Sequence, residues 1–435
     1  MQTLAQLQSG KLKGSTTIKL CCGLTTLSPE IFDLADTLEI LDLSGNNLSV
    51  LPDDFAKLQQ LKILFLSNNQ FTIFPEILGQ CPQLEMIGFK ANKITTISEN
   101  ALPVNSRWLI MTNNKLEKLP ASIGNCKRME KLMLAGNCLK ELPVELSNCK
   151  NLALLRISAN QLESLPDWLL QMPKLAWLAF SGNPFCKENV DNKAELASID
   201  WASLTVTKQL GEGASGIISK AIWQQDSSPT QTVAVKVFKG ELTSDGLPEH
   251  EMDACLLAGT HPNLVNLFGK ISNHPAQQKG LVLGLIPPIY RNLGQPPSFA
   301  TCTRDVFTEG ISFTKQETII IATSIASVAA HLHNRGIMHG DLYAHNILTN
   351  PDAHTLIGDF GAATVYATTE TQISYLLERI EVFAFGCLLE DLLNLTAPNE
   401  NTKALHELKA ACMQEDVWSR PGFGAIMGIM NELSA

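Results

Sequence analysis

Hydrophobic positions in the first half of the chain recur in short L-x-L steps. The segment LEILDLSGNNL (38–48) returns as LKILFLSNNQF (61–71) and LEMIGFKANKI (84–94), and then as variants. An asparagine follows each step, at Asn46, Asn69, Asn92, Asn114, Asn137, Asn160 and Asn183, with spacings of 23, 23, 22, 23, 23 and 23 residues. Repetition at that period is the mark of a stacked-repeat solenoid. Each L-x-L predicts a short strand whose two leucines enter the core. Each asparagine is predicted to satisfy backbone groups at the tight turn beyond the strand. The Leu-Pro pairs at 51–52, 119–120, 142–143 and 165–166 predict an irregular return along the convex side, because proline fixes φ and suits no long helix. No repeat buries its own apolar face, so neighbours must stack. An atypical first repeat at residues 18–27 predicts an N-terminal cap, and NPFC (183–186) ends the array.

Side chains alternate along a strand, so the neighbours of the inward leucines point out. This places Ile40, Ile63, Phe65, Met86, Trp108, Ile110, Met133, Leu154 and Trp177 on the concave face. They either pack against one another and a terminal cap or form a patch for a partner. The partner reading is preferred, since soluble proteins rarely expose so much contiguous apolar surface. Tryptophan is also enriched at interaction hot spots. The candidate contacts with a protein partner are Phe65, Trp108, Ile110, Met133 and Trp177.

A polar stretch at 187–202 is read as a linker, and the pattern then changes. In LTVTKQLGEGASGIISKAIW (204–223), Gly211, Gly213 and Gly216 form G-x-G-x-x-G between two stretches of β-type residues. Strand–loop–strand is the setting in which backbone amides cover ATP phosphates, whereas a Rossmann turn would open a helix. TVAVKVF (232–238) alternates as a strand and carries Lys236. LPEHEMDACLLAGTHPNLV (247–265) predicts a helix, in which Glu251 is the first choice to pair with Lys236 and Glu249 the second. A second helix is predicted over residues 318–335. HGDLYAHNIL (339–348) and IGDFG (357–361) follow.

Together these residues resemble the protein kinase family over about 203–435, and the repeats resemble the 23-residue intracellular leucine-rich repeat class over about 15–186. The pairing resembles bacterial cytosolic leucine-rich-repeat protein kinases. The resemblance implies a multidomain chain, an α/β repeat solenoid followed by a two-lobed α+β kinase fold. It implies ATP held by Gly211, Gly213, Gly216, Ile218, Ala234 and Lys236, with the Lys236–Glu251 pair fixing the ammonium. Asp341 would accept or orient the acceptor hydroxyl, and Asn346 and Asp359 would hold Mg2+. The implied activity is phosphoryl transfer to a protein hydroxyl, serine or threonine in the first instance. A scaffold that binds ATP and partners without efficient transfer is the alternative.

The chain departs from the family pattern in several places. Gly340 stands where the family has an arginine that receives a loop phosphate, so Arg379 is the one candidate to replace it. Tyr343 stands where serine/threonine kinases place lysine. Glu381 replaces an aspartate at the expected start of a helix, leaving a short activation segment with hydroxyls at Thr364, Tyr366, Thr368, Thr369 and Thr371. Either Glu370 or Glu378 would pair with Arg420. Residues 286–313 are proline-rich and predict no helix, and few residues remain between Asn394 and Trp418 for a docking helix.

Composition narrows the picture further. The net charge of −10 argues against non-specific nucleic-acid binding. It is concentrated after residue 200, with nineteen basic against twenty acidic residues before that point and fourteen against twenty-three beyond it. The chain has 11 cysteines and no C-x-x-C pair. Cys81, Cys126 and Cys149 occupy leucine positions of the repeat, which reads as buried, reduced thiols in a cytoplasmic protein. No secretory signal and no membrane span is expected.

Overall fold

The structure is a computed structural model and describes residues 2–189, 197–213, 215–225, 228–240, 242–243, 245–368, 371–398 and 401–434. The chain divides into two compact units, Met1–Lys174 and Leu175–Ala435. The second unit therefore begins ahead of the boundary expected at 186, and the last repeat belongs to it.

In the first unit, a short helix α1 (Leu4–Gln8), closed by a capping box from Thr3 and Gln6, precedes a parallel sheet. Its strands are β1 (Thr17–Lys19), β2 (Ile40–Asp42), β3 (Ile63–Phe65), β4 (Met86–Gly88), β5 (Trp108–Ile110), β6 (Lys131–Met133) and β7 (Leu154–Arg156). They pair in chain order, so that Leu41, Leu64, Ile87, Leu109, Leu132 and Leu155 lie in one row. That row is fully buried. On the convex side the chain returns through 3-10 turns such as Asp53–Lys57, Ala121–Asn125 and Val144–Asn148, each entered from a proline with φ near −70°. Only α2 (Asp167–Leu170) is α-helical among these returns.

The asparagines form the expected ladder. Asn69 Nδ2 donates to Leu43 O at 3.0 Å and Leu66 O at 3.1 Å, while its Oδ1 accepts from Leu48 N at 2.9 Å. Asn137 does the same with Met111 O, Leu134 O and Leu116 N. Each amide thus joins its own turn to the preceding repeat and satisfies three backbone groups that burial would otherwise leave unpaired. Cys81, Cys126 and Cys149 are buried free thiols, and burial pushes them up to about 11, 12 and 11.

The concave face is less open than its pattern predicts. Phe65, Trp108 and Ile110 are half-buried, but Ile63, Met86, Met133 and Leu154 are buried. Large side chains in adjacent parallel strands cover one another. Phe65 lies over Gly88, and Trp108 meets both Met133 Sδ at 3.4 Å and the Lys131 ammonium at 4.3 Å from its ring centre.

The second unit opens with β8 (Trp177–Ala179). Trp177 is 2% exposed, so it is core and not concave surface. The expected linker is structured at its end: β9 (Ser198–Asp200) pairs in parallel with β13 (Leu267–Ser272), because Ile199 enters the core between two exposed neighbours. Residues 190–196 of that linker lie outside the described residues. The sheet order is β10 (Leu204–Glu212), β11 (Gly216–Gln225), β12 (Ser228–Phe238), β14 (Gly280–Gly284), β13 and β9. Val233 and Val235 of β12 face a core with Ile199, Leu204, Ala221 and Val282, while Ala234 and Lys236 face the other way.

Helix α3 (Pro248–Ala258) packs beside the sheet. Helix α4 (Lys315–His333) starts at a Thr314/Glu317 capping box, near the position predicted. The strand β15 (Arg291–Asn292) is the sole regular element within 286–313 among the described residues. Short antiparallel pairs follow: β16 (Ile337–Met338) with β19 (Thr364–Val365), and β17 (Ile347–Thr349) with β18 (Thr355–Ile357). Helix α5 (Thr371–Asn394) begins ten residues before Glu381, so the expected helix start is corrected and the activation segment is shorter still. Helix α6 (Lys403–Cys412) occupies the stretch expected to be too short for one, and α7 (Phe423–Ser434) closes the chain.

Candidate active site

A cleft of about 370 Å³ separates the sheet from the β17–β18 hairpin. Ile218, Ala234, Leu281 and Leu348 give it apolar walls, and Lys236, Glu251, Asn346 and Asp359 bring polar groups to one end. A concave, largely apolar site with a few convergent polar groups of this size suits a small organic ligand.

Lys236 reaches the cleft because β12 alternates, with Val235 and Val237 pointing elsewhere. Its Nζ pairs with Glu251 Oε1, and both residues are buried. Burial by itself would lower the ammonium's pKa, but Glu251 and Asp359 outweigh it and hold Lys236 above its ordinary value. Glu249, the second choice, sits on the outer side of α3 and pairs with Lys279 at 2.9 Å.

The glycines of 211–216 join β10 to β11 as a hairpin. Gly213 N donates to Gly216 O at 2.9 Å. Space is open around Gly211 and Gly213, whereas a Cβ on Gly216 would meet Val237 O at 2.5 Å. The first two glycines thus leave backbone accessible to a ligand, and the third allows close strand packing.

Asp341 and Asn346 lie on the loop between β16 and β17. Asn346 Nδ2 donates to Asp341 Oδ2 at 2.7 Å and to Asp341 O at 3.0 Å. Asp341 N donates to His339 Nδ1 at 3.3 Å. Asp359 follows β18 with φ 55°, a left-handed backbone that turns its carboxylate back, where Oδ1 accepts from Gly361 N at 3.2 Å. The structure therefore brings Lys236, Glu251, Asn346 and Asp359 to the cleft, with Asp341 hydrogen-bonded to Asn346.

Two features of the site went unread in the sequence. Glu381, seen there as a replacement for aspartate, accepts from Gly340 N at 2.8 Å, His339 N at 3.2 Å and His333 Nε2 at 2.7 Å. Burial would raise this carboxyl, yet His333, His339 and the Gly340 N–H outweigh it and hold it below the usual range. The second is His345, which lines the cleft and whose Nδ1 lies 2.7 Å from Asp305 Oδ1. Asp305 is forty residues away in an irregular segment, so no local spacing signals the pair.

The expected activation-segment groups are placed differently. Thr364 and Tyr366 are buried, and Tyr366 Oη meets His333 Nδ1 at 2.7 Å. Thr368 is exposed. Thr369, Glu370 and the Thr371 side chain lie outside what is described. Arg379 pairs with Glu378 and lies 3.9 Å from the Tyr375 ring centre. Arg420 donates to Gln414 O at 2.8 Å and Arg379 O at 3.1 Å, while Glu378 accepts from Phe423 N at 2.7 Å.

The model of the protein tyrosine and serine/threonine kinase family matches residues 204–383, and that of the leucine rich repeat family matches residues 16–71. The chain carries a leucine-rich repeat region and a protein kinase domain. Similar proteins include a tyrosine-protein kinase receptor of Danio rerio, 29% identical over 181 residues, covering 40% of this chain and 20% of the relative. A sporulation protein kinase of Schizosaccharomyces pombe is 25% identical over 264 residues, covering 54% and 45%. A probable serine/threonine-protein kinase of Dictyostelium discoideum is 27% identical over 224 residues, covering 46% and 12%. The chain thus spans less than half the length of each relative. The kinase domain has relatives of both hydroxyl specificities. Among the described residues no helix is long and apolar enough to cross a membrane.

Proposed function

We propose that the protein transfers the terminal phosphoryl group of ATP to serine or threonine hydroxyls of protein substrates in the cytoplasm. The observation that carries this reading is the convergence of the Lys236–Glu251 pair, Asn346 and Asp359 on one cleft beside Asp341. We place the catalytic domain at 203–435 and the repeat domain at 15–186.

In this reading the apolar walls take the adenine, the uncrowded glycine hairpin at Gly211 and Gly213 covers the phosphates, and Lys236 meets the α- and β-phosphates. Asn346 and Asp359 offer oxygen donors on one side of the cleft, a donor set that fits the hard cation Mg2+. Magnesium, when bound, supplies charge neutralisation at the phosphate oxygens. Asp341, held by Asn346, orients the acceptor hydroxyl and takes its proton. Serine or threonine is favoured by the name of one of the relatives above, the serine/threonine-protein kinase of Dictyostelium discoideum. The repeat domain binds protein partners through Phe65, Trp108 and Ile110, which with Ile40 are the partly exposed members of its concave face.

Incubation with Mg-ATP and peptide pools that differ only in carrying serine, threonine or tyrosine tests the reading. Label is expected in the serine and threonine pools. Label in the tyrosine pool alone would overturn the specificity, and label in none would favour a non-catalytic scaffold.

A further inference from the structure

Gly340 has φ +73°, and a Cβ there would lie 2.6 Å from Leu178 O and 2.7 Å from Ala362 O. The glycine is therefore required by space as well as by backbone conformation, because a strand passes directly against the loop. That strand is β8, the last repeat, which lies outside the stretch matched by the kinase family model.

Two further contacts join the strand to the loop, and a third lies just beyond the strand's end. The Trp177 indole Nε1 donates to Leu342 O at 3.2 Å. Its ring stacks on Tyr343, with centres 4.2 Å apart and planes 11° from parallel. Phe180 N donates to Thr364 Oγ1 at 3.2 Å, on the strand that pairs with β16. The contacts continue towards the cleft. Tyr343 meets the His345 ring at 5.0 Å, and His345, fixed by Asp305, precedes Asn346. Glu381 also holds the loop, through Gly340 N.

We propose that Trp177 is a positioning residue for the catalytic loop: from the last repeat it fixes residues 340–343, and through them Asp341. The indole supplies two constraints of different kind, a directional hydrogen bond to a backbone carbonyl and a broad stacking plane, and both fall within two residues of Asp341. Stacked aromatic pairs stabilise beyond the area that they bury. The bracing makes a loop phosphate and its receiving arginine unnecessary, which accounts for glycine at 340 in physical terms. It also predicts that the loop is ordered whatever the modification state of the activation segment.

The proposal rests on the kinase reading, so its test needs an observable independent of transfer. Amide hydrogen exchange and steady-state transfer are measured on the full chain for wild type, Trp177→Ala and Trp177→Phe. In Trp177→Ala, exchange in peptides covering 338–346 should accelerate while that of α4 and α7 stays unchanged. Its kcat should fall by about tenfold to a hundredfold, as expected for a displaced catalytic group, with the KM for ATP within about threefold. Trp177→Phe keeps a stacking ring and loses the donor, so both effects should be intermediate, and this variant decides the question if Trp177→Ala does not fold. Unchanged exchange at 338–346, or acceleration spread evenly over the second unit, would overturn the proposal. Absence of transfer by wild type would overturn the kinase reading alone, since the exchange result still decides the role of Trp177.

Discussion

Asn346 donates to the Asp341 carboxylate at 2.7 Å, and the same amide nitrogen reaches Asp341 O at 3.0 Å. One side chain thus fixes both the carboxylate and the backbone of the loop. Asn346 itself lines the cleft. The two residues are five positions apart, and the intervening 3-10 turn, Ala344–Asn346, folds the chain back so that they meet.

That geometry separates binding from chemistry. Asp341→Asn should keep the rise in melting temperature that Mg-ATP gives to the wild type, because a ligand selective for the folded state stabilises it. Transfer should fall by about 10²- to 10⁴-fold, the range for loss of a general base. Thermal melts with and without Mg-ATP, beside phosphate incorporation, check both halves.

The buried ion pair makes a different demand. Lys236→Met leaves Glu251 buried without its cation, which should cost about 3–5 kcal/mol. The double variant Lys236→Met with Glu251→Leu should recover much of this loss, since neither charge then remains. Urea unfolding of the three proteins gives the comparison, and a double variant less stable than Lys236→Met would count against the pairing.

Stability on the acid side should depend on Glu381. Its folded-state pKa lies below the usual value. Its contribution is therefore present above the unfolded carboxylate pKa of about 4.3 and is lost as pH falls through the lower folded value. Glu381→Gln should flatten that acid limb. The melting temperature of both proteins between pH 3 and 6, a range of about three units around the carboxylate pKa, shows whether it does.

In the repeat unit, Asn137→Ala removes two donors and one acceptor from buried backbone partners. A loss of about 3 kcal/mol follows from leaving such groups unpaired. Substituting exposed Val50 should change little. Denaturant midpoints of the two variants measure the difference.

Much of this was legible from residue order. The asparagine ladder could be read because each repeat uses the same local geometry, so one period reveals all of them. Lys236, Asp341, Asn346 and Asp359 could be read because short motifs fix their spacing. What could not be read depends on neighbours distant in sequence. Trp177 has the same strand position as Trp108, and its encounter with Leu342 and Tyr343, far along the chain, makes it core. Ser198–Asp200 looks like polar linker until β13 supplies its partner. Helix α5 begins at Thr371 because residues 371–380 continue the apolar face of the segment after Glu381, a continuity masked by the expectation of a helix start at an acid.

Buried hydroxyls also set the outlook for regulation. Tyr366 and Thr364 are closed to modification in the folded protein, so phosphate on either should appear only after unfolding. Tyr366→Phe should leave specific activity within a few-fold. Mass spectrometry of native and heat-treated protein after incubation with an active kinase checks the first point.

The central claim is that this cleft performs phosphoryl transfer. Radiolabelled ATP with magnesium, comparing wild type with Asp359→Asn on the same substrate, tests it most directly. The account predicts label transfer by the wild type and a loss of about a hundredfold or more in the variant, as for removal of a main electrostatic group. Equal transfer by both proteins, or none by a wild type that still binds Mg-ATP, would contradict it.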